Sequence, residues 1–156
     1  MISAPFDEFR ATVVPEWIDE NQHLNMGYYV VAFDRATDAW LVHIGLDPDH
    51  RAIHRVTTFT LESHVNYLRE VREGDPLRFT TQLLAFDQKR IHYIHQMYHG
   101  EQGYLAATNE LMSLHVSLET RRAAPMRPVI QDRLARVLEA HSRLDRPPQV
   151  GRSIGL

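Results

Sequence analysis

A chain of 156 residues is the length of one domain, enough for a single hydrophobic core and too short for two. With 44% apolar residues and a formal charge of −3, neither a disordered chain nor a strongly basic nucleic-acid surface is expected. The absence of cysteine removes disulfides, thiolate metal sites and a cysteine nucleophile together. No apolar run approaches the ~18 residues of a membrane span, and MISAPFDEF lacks the basic-then-apolar pattern of a signal peptide. A soluble, cytoplasmic protein is the expectation.

Phe9, Ala11 and Val13 alternate with Arg10 and Thr12, which predicts a first strand within Phe6–Pro15, ended by Pro15. Glu16–Ile44 opens as a polar loop and becomes one long amphipathic helix. Its apolar stripe is Met26, Tyr29, Val30, Phe33, Trp40, Leu41 and Ile44, with Asp34, Arg35 and Asp38 off it. Asn25 stands at the N-cap, and Gly45 with Pro48 supplies the stop. A turn-rich segment follows over Leu46–Ile53.

Val56–Glu70 then reads as a long strand. Phe59, Leu61, Val65 and Tyr67 form its core face, opposite Thr58, Thr60, Glu62, His64 and Asn66. After the turn Glu73–Pro76, Leu77–Phe86 and Arg90–His99 form a hairpin about Asp87-Gln88-Lys89. Gly100–Gly103 is a further turn and Tyr104–Leu118 the last strand. Pro125 and Pro128 break the chain before a second amphipathic helix marked by Ile130, Leu134, Val137, Leu138 and His141. Its basic residues Arg133, Arg136 and Arg143 read as a solvated face. The tail Arg146–Leu156 should be extended, free or lying on a partner subunit. One long helix with about five mostly antiparallel strands is an α+β layout in which the sheet wraps the helix.

Chemistry concentrates in the loop before the helix. Asp19, Asn21, His23 and Asn25 fall within seven residues, followed by the N–H groups of Met26, Gly27 and Tyr28 in the first helical turn. Such N–H groups lack intrahelical acceptors and sit at the positive end of the helix dipole, where they can bind a developing oxyanion. A nearby carboxylate can attack a carbonyl or activate water. No metal site is expected: His92 and His95 point to opposite strand faces, and His95 and His99 lie ~13 Å apart along the strand. No G-x-S-x-G or glycine-rich phosphate loop occurs.

The run D-E-N-Q-H-L-N-M-G-Y-Y, followed by F-D-R-A, resembles the active-site loop and central helix of hotdog-fold acyl thioesterases. It is similar to the 4-hydroxybenzoyl-CoA thioesterase group and, in N-Q-H-x-N, to plant acyl-carrier-protein thioesterases. Y-L-R-E-V-R-E-G-D-P-L resembles the strand and turn after that helix, so the likeness spans roughly Phe9 to Arg122. It implies a single hotdog domain over 1–156, with its core at about 6–122 and an added C-terminal helix and tail at 125–156. It also implies homodimers or homotetramers with sites at the subunit interface.

In this resemblance Asp19 takes the place of the catalytic carboxylate. The Met26 N–H takes that of the carbonyl-polarising group, and Asn21 and His23 those of catalytic or positioning residues, with Asn25 as the helix cap. Many benzoyl-CoA relatives carry Asp-x-Asp here, where this chain has Asp19-Glu20-Asn21. Glu62 and Glu70 are possible second carboxylates contributed across an interface.

The leaving group implied is coenzyme A, a part of the substrate rather than a cofactor. Lys89, Arg90, Arg121 and Arg122 are candidates for its phosphates. The runs VPEWIDENQHLN and KRIHYIHQMYH look most like thioesterases of carnitine breakdown, which hydrolyse betainyl-CoA. A trimethylammonium acyl group favours aromatic walls and a carboxylate, for which Trp17, Tyr28, Tyr29, Trp40 and Glu62 are candidates. Two other activities stay open at this point: a hotdog 3-hydroxyacyl dehydratase, and a hotdog domain that only binds acyl-CoA.

Overall fold

Helix α1 (Met26–His43) lies along the inner face of one curled five-stranded sheet. The computed structural model describes residues 1–156. The strands are β1 (Arg10–Thr12), β2 (Val56–Tyr67), β3 (Pro76–Phe86), β4 (Arg90–His99) and β5 (Leu105–Ser117), in the order β1-β3-β4-β5-β2 with every pairing antiparallel. Two further helices are α2 (Pro48–His54) and α3 (Pro128–His141).

α1 begins where the Asn25 side chain accepts the Gly27 N–H at 2.9 Å. It ends where Gly45 takes φ +92° and the Leu46 N–H turns back to the Leu41 carbonyl. Its buried stripe is Tyr29, Ala32, Phe33, Ala36, Thr37, Trp40 and Leu41. Met26 and Val30, expected on the stripe, are 66% and 43% exposed. Alanines and a threonine take the inner face instead, because small side chains let the helix approach the sheet. The N-terminal half packs on Leu77, Phe79, Met97 and Ala107, and the C-terminal half on Leu83, Ile91, Tyr93 and α3. Between the two halves His95 is wholly buried, its ring nitrogens held by Thr37 at 2.9 Å and Thr81 at 2.8 Å.

Several expectations change on the sheet. The first strand pairs only over Arg10–Thr12, and Phe6 makes an isolated bridge to Thr81. The intervening Asp7 side chain instead holds the Arg78 guanidinium. The segment predicted as turn-rich contains α2, because Asp47 caps it by accepting the His50 N–H at 2.8 Å and Pro48 opens it.

Nor does β2 carry one continuous core face. A bulge between Thr60 and Glu62 shifts its register on β5: Phe59 pairs Leu114, whereas Val65 pairs Asn109. One extra residue sends side chains before and after it to opposite faces. Phe59 and Leu61 are therefore exposed while Val65 packs on the core; Tyr67, on the same face as Val65, stands at the strand end, where it meets Tyr29 and stays part-exposed.

The C-terminal helix forms as expected, with Ile130, Leu134, Val137 and His141 buried. His141 accepts the Leu83 N–H through Nδ1 at 2.9 Å and reaches the Ser3 carbonyl through Nε2 at 3.0 Å, tying both the helix and the N-terminus to β3. Part of the tail lies on its own sheet, where Pro147 is buried and the Gly151 N–H donates to Glu110 at 2.8 Å.

Candidate active site

The loop from Trp17 to Asn25 is closed on itself before α1 starts. Ile18 bridges Leu24, the Asn25 N–H donates to the Trp17 carbonyl at 2.9 Å, and the Leu24 N–H donates to the Val71 carbonyl at 2.9 Å. Gln22 at the tip adopts φ +65°, which lets its N–H return to the Asp19 carbonyl. Asp19 is thereby held at the base of a tight turn rather than on a free loop.

Each oxygen of the Asp19 carboxylate has a partner. Oδ1 accepts the Asn21 N–H at 2.9 Å, and Oδ2 accepts the Asn25 Nδ2 at 3.3 Å. The first-turn donors are not equivalent. The Gly27 N–H goes to the Asn25 side chain and the Tyr28 N–H to the Asn25 carbonyl, leaving the Met26 N–H without an acceptor in the chain. An open donor at the positive end of a helix beside an ionisable carboxylate is an arrangement able to polarise a carbonyl and attack it or deliver water to it.

Asp19, Asn21, His23, Asn25, Met26 and Tyr29 line a common cleft of about 560 Å³. The last residue of β2, Tyr67, and the segment after it, Leu68, Arg69 and Glu70, also line it. Tyr67 donates its hydroxyl to the Met26 carbonyl at 3.1 Å, and its ring meets Tyr29 edge-on at 5.1 Å. Burial pushes the Tyr29 phenol up to about 12 and raises that of Tyr67, so both rings stay neutral. His23 is half-buried, with Nδ1 3.3 Å from the Leu24 carbonyl and Nε2 3.9 Å from Glu70. Glu70, one of the two predicted second carboxylates, thus reaches the cleft from the same chain.

Other predicted site residues lie elsewhere. Trp40 is fully buried against Phe6, Tyr93 and His141, ~21 Å along α1 from Met26. Its offsets of 7 and 11 residues from Phe33 and Tyr29 repeat the buried stripe, so it is core. Trp17 is buried beneath Tyr28, which stacks on it outside the cleft. Glu62 lies on the outer sheet face with His64, His92 and Glu110, in a separate groove. Lys89, Arg90, Arg121 and Arg122 sit at the far end of the strands, where Arg90 pairs with Asp87 and Arg121 covers the Phe59 ring. Ten residues of β5 separate Ala107 near the cleft from Ser117 at that end, ~33 Å. Within this chain these cations do not meet the cleft. The sequence reading missed Tyr67 as a wall, because regular alternation assigned it to the core.

A curled antiparallel sheet around one helix, with a carboxylate at the start of that helix, defines a hotdog-fold thioesterase. The chain belongs to the thioesterase-like superfamily, whose family model matches residues 13–134. It is 44% identical to the betainyl-CoA thioesterase of Pseudomonas aeruginosa over 95% of this chain and 93% of that protein. A Ruegeria pomeroyi protein named L-carnitine dehydrogenase/betainyl-CoA thioesterase is 36% identical over 98% of this chain, which spans 31% of it. A Staphylococcus aureus protein solved in complex with CoA superposes with a TM-score of 0.92 at 30% identity, covering 100% of this chain and 98% of that one. The 1,4-dihydroxy-2-naphthoyl-CoA thioesterase of Synechocystis shares the fold, with a TM-score of 0.72 at 16% identity over 92% of this chain and 100% of that one. Of the activities left open by the sequence, thioester hydrolysis is the one this family carries.

Proposed function

We propose that the protein hydrolyses betainyl-CoA to the free acid and CoA, with Asp19 as the residue that does the chemistry. The observation that carries this reading is the Asp19 carboxylate fixed by Asn25 beside the open Met26 N–H. In this mechanism the thioester oxygen accepts the Met26 N–H, which stabilises charge developing on it. Asp19 then either attacks the carbonyl carbon, giving a mixed anhydride that water opens, or takes a proton from the attacking water. Both routes break the C–S bond and release the CoA thiolate, which takes up a proton. Asn25 orients the carboxylate, while His23 and Asn21 hold the loop. Likeness to the P. aeruginosa and R. pomeroyi proteins supports the acyl group, and likeness to the CoA-bound S. aureus protein supports the leaving group.

The test is thiol release over a panel of acyl-CoAs that pairs betainyl-CoA with 3,3-dimethylbutanoyl-CoA. The two differ chiefly by nitrogen for carbon, so discrimination between them reports charge. A preference of at least about tenfold in kcat/KM is expected for the cation. Equal rates, or a preference for aroyl or medium-chain groups, would remove the betainyl reading and leave the thioesterase.

We also infer that the protein assembles at least as a homodimer. β2 is a 12-residue edge strand with exposed Phe59 and Leu61 and no proline or lysine to guard it. Pairing with a second copy covers that edge and can bring the far-end cations of one subunit toward the other's cleft. A monomer by sedimentation at micromolar concentration would contradict this.

A further inference from the structure

Betainyl chemistry limits where the charge can be read. The quaternary nitrogen lies two bonds from the thioester carbon, about 2.5 Å away. With the carbonyl placed between Asp19 and the Met26 N–H, the trimethylammonium group must lie in that same cleft. Neither Trp40 nor Glu62 can reach it from its place in the fold. A quaternary ammonium also donates no hydrogen bond, so recognition rests on aromatic faces and fixed negative charge.

Such groups line the same cleft as Asp19, beside Met26 and His23. The structure assigns Tyr67 and Glu70, backed by Tyr29, as the subsite that selects a cationic acyl group. This assignment rests on the substrate reading above and deepens it.

The wall is fixed at several points. Tyr67 is tied through its hydroxyl to the Met26 carbonyl at 3.1 Å, and its ring packs perpendicular to that of Tyr29 with centroids 5.1 Å apart. The Leu68 and Arg69 N–H groups both donate to the Ala106 carbonyl, at 2.9 and 3.0 Å. Tyr104 donates its hydroxyl to the Glu70 carbonyl at 2.7 Å.

Charge on the lining is directed the same way. One Glu70 oxygen is taken by Arg72 at 3.0 Å, and the other is turned toward His23 at 3.9 Å, on the cleft side. Asp19, Glu20 and Glu70 set three carboxylates on the lining against the guanidinium of Arg69 and that of Arg72 on Glu70, which leaves the balance negative. Arg69 is drawn off by stacking on Tyr104 at 3.9 Å, so no fixed cation competes for the Tyr67 face.

The experiment measures kcat/KM for betainyl-CoA and for 3,3-dimethylbutanoyl-CoA in wild type, Glu70→Gln, Tyr67→Leu and Tyr67→Phe. The readout is the ratio of the two values, which cancels any loss common to both substrates. The expected wild-type ratio of at least about ten falls to within about threefold of unity in E70Q and Y67L. Y67F keeps the ring and retains most of the ratio. If Y67L does not fold, E70Q and Y67F still decide, with competitive inhibition by tetramethylammonium as a second measure that weakens in E70Q. A wild-type preference that survives in E70Q and Y67L overturns the subsite while leaving the betainyl reading. Absence of any wild-type preference overturns both.

Discussion

Asn25 joins the Asp19 carboxylate to the first turn of α1, with Nδ2 donating to Asp19 at 3.3 Å and Oδ1 accepting the Gly27 N–H at 2.9 Å. One amide therefore sets both the start of the helix and the orientation of the carboxylate. Fold and chemistry are coupled at this residue, and the coupling can be tested from either end.

Asp19→Asn removes a nucleophile or base but keeps the side chain's shape. Thiol release should fall by a factor of at least about 100, with the circular dichroism spectrum unchanged. Retention of more than about a tenth of the activity, ~1.4 kcal/mol of barrier, would make Asp19 a loop residue.

Replacing Asn25 by Ala should destabilise the protein by about 1 kcal/mol in urea unfolding, through loss of the cap. Asn25→Asp keeps a good capping group but sets a second carboxylate against Asp19. Like charges so close oppose joint ionisation, so the acid limb of the kcat/KM profile should move to higher pH. An unmoved limb would mean that the Asn25 contact does not control the reacting group.

His95 should make the fold acid-sensitive. Burial lowers its pKa from 6.5 to about 3, so between those values the unfolded chain binds the proton and the native chain does not. This contribution to stability is complete above pH 6.5 and is lost as pH falls, by at most ~1.4 kcal/mol per pH unit. His141 and His115, also lowered chiefly by burial, act with the same sign. Urea unfolding at pH 7, 6 and 5 should show a shallower slope in His95→Gln than in wild type. An equal slope would assign the acid sensitivity to other groups.

Trp40→Phe tests whether that residue belongs to the core alone. It should cost about 1–2 kcal/mol of stability and leave the ratio between betainyl-CoA and its neutral isostere as in wild type. A changed ratio would return Trp40 to the acyl pocket.

Leu61→Arg places a charge on the exposed edge of β2. Sedimentation should show its mass falling from that of a dimer toward that of a monomer. An unchanged mass would place the subunit interface elsewhere.

By itself the sequence determined the long helix, its Asn25 cap, four of the five strands nearly to their ends, and the polar loop that holds Asp19. These rest on local physics: helical spacing, a capping side chain, alternation and turn residues act within a few positions of one another. Tertiary structure alone decided which residues share the cleft with Asp19. The β2 bulge at Thr60/Glu62 reverses the facing of that strand, and no residue near it announces the extra position. Trp40 and Tyr29 share a stripe, yet one lies in the core beside α3 and the other lines the cleft, because the helix is longer than either packing region. Glu70 and Asp19 lie 51 positions apart and meet only because β2 ends where α1 begins. Local pattern cannot carry that information, since it is the sheet order that brings those ends together.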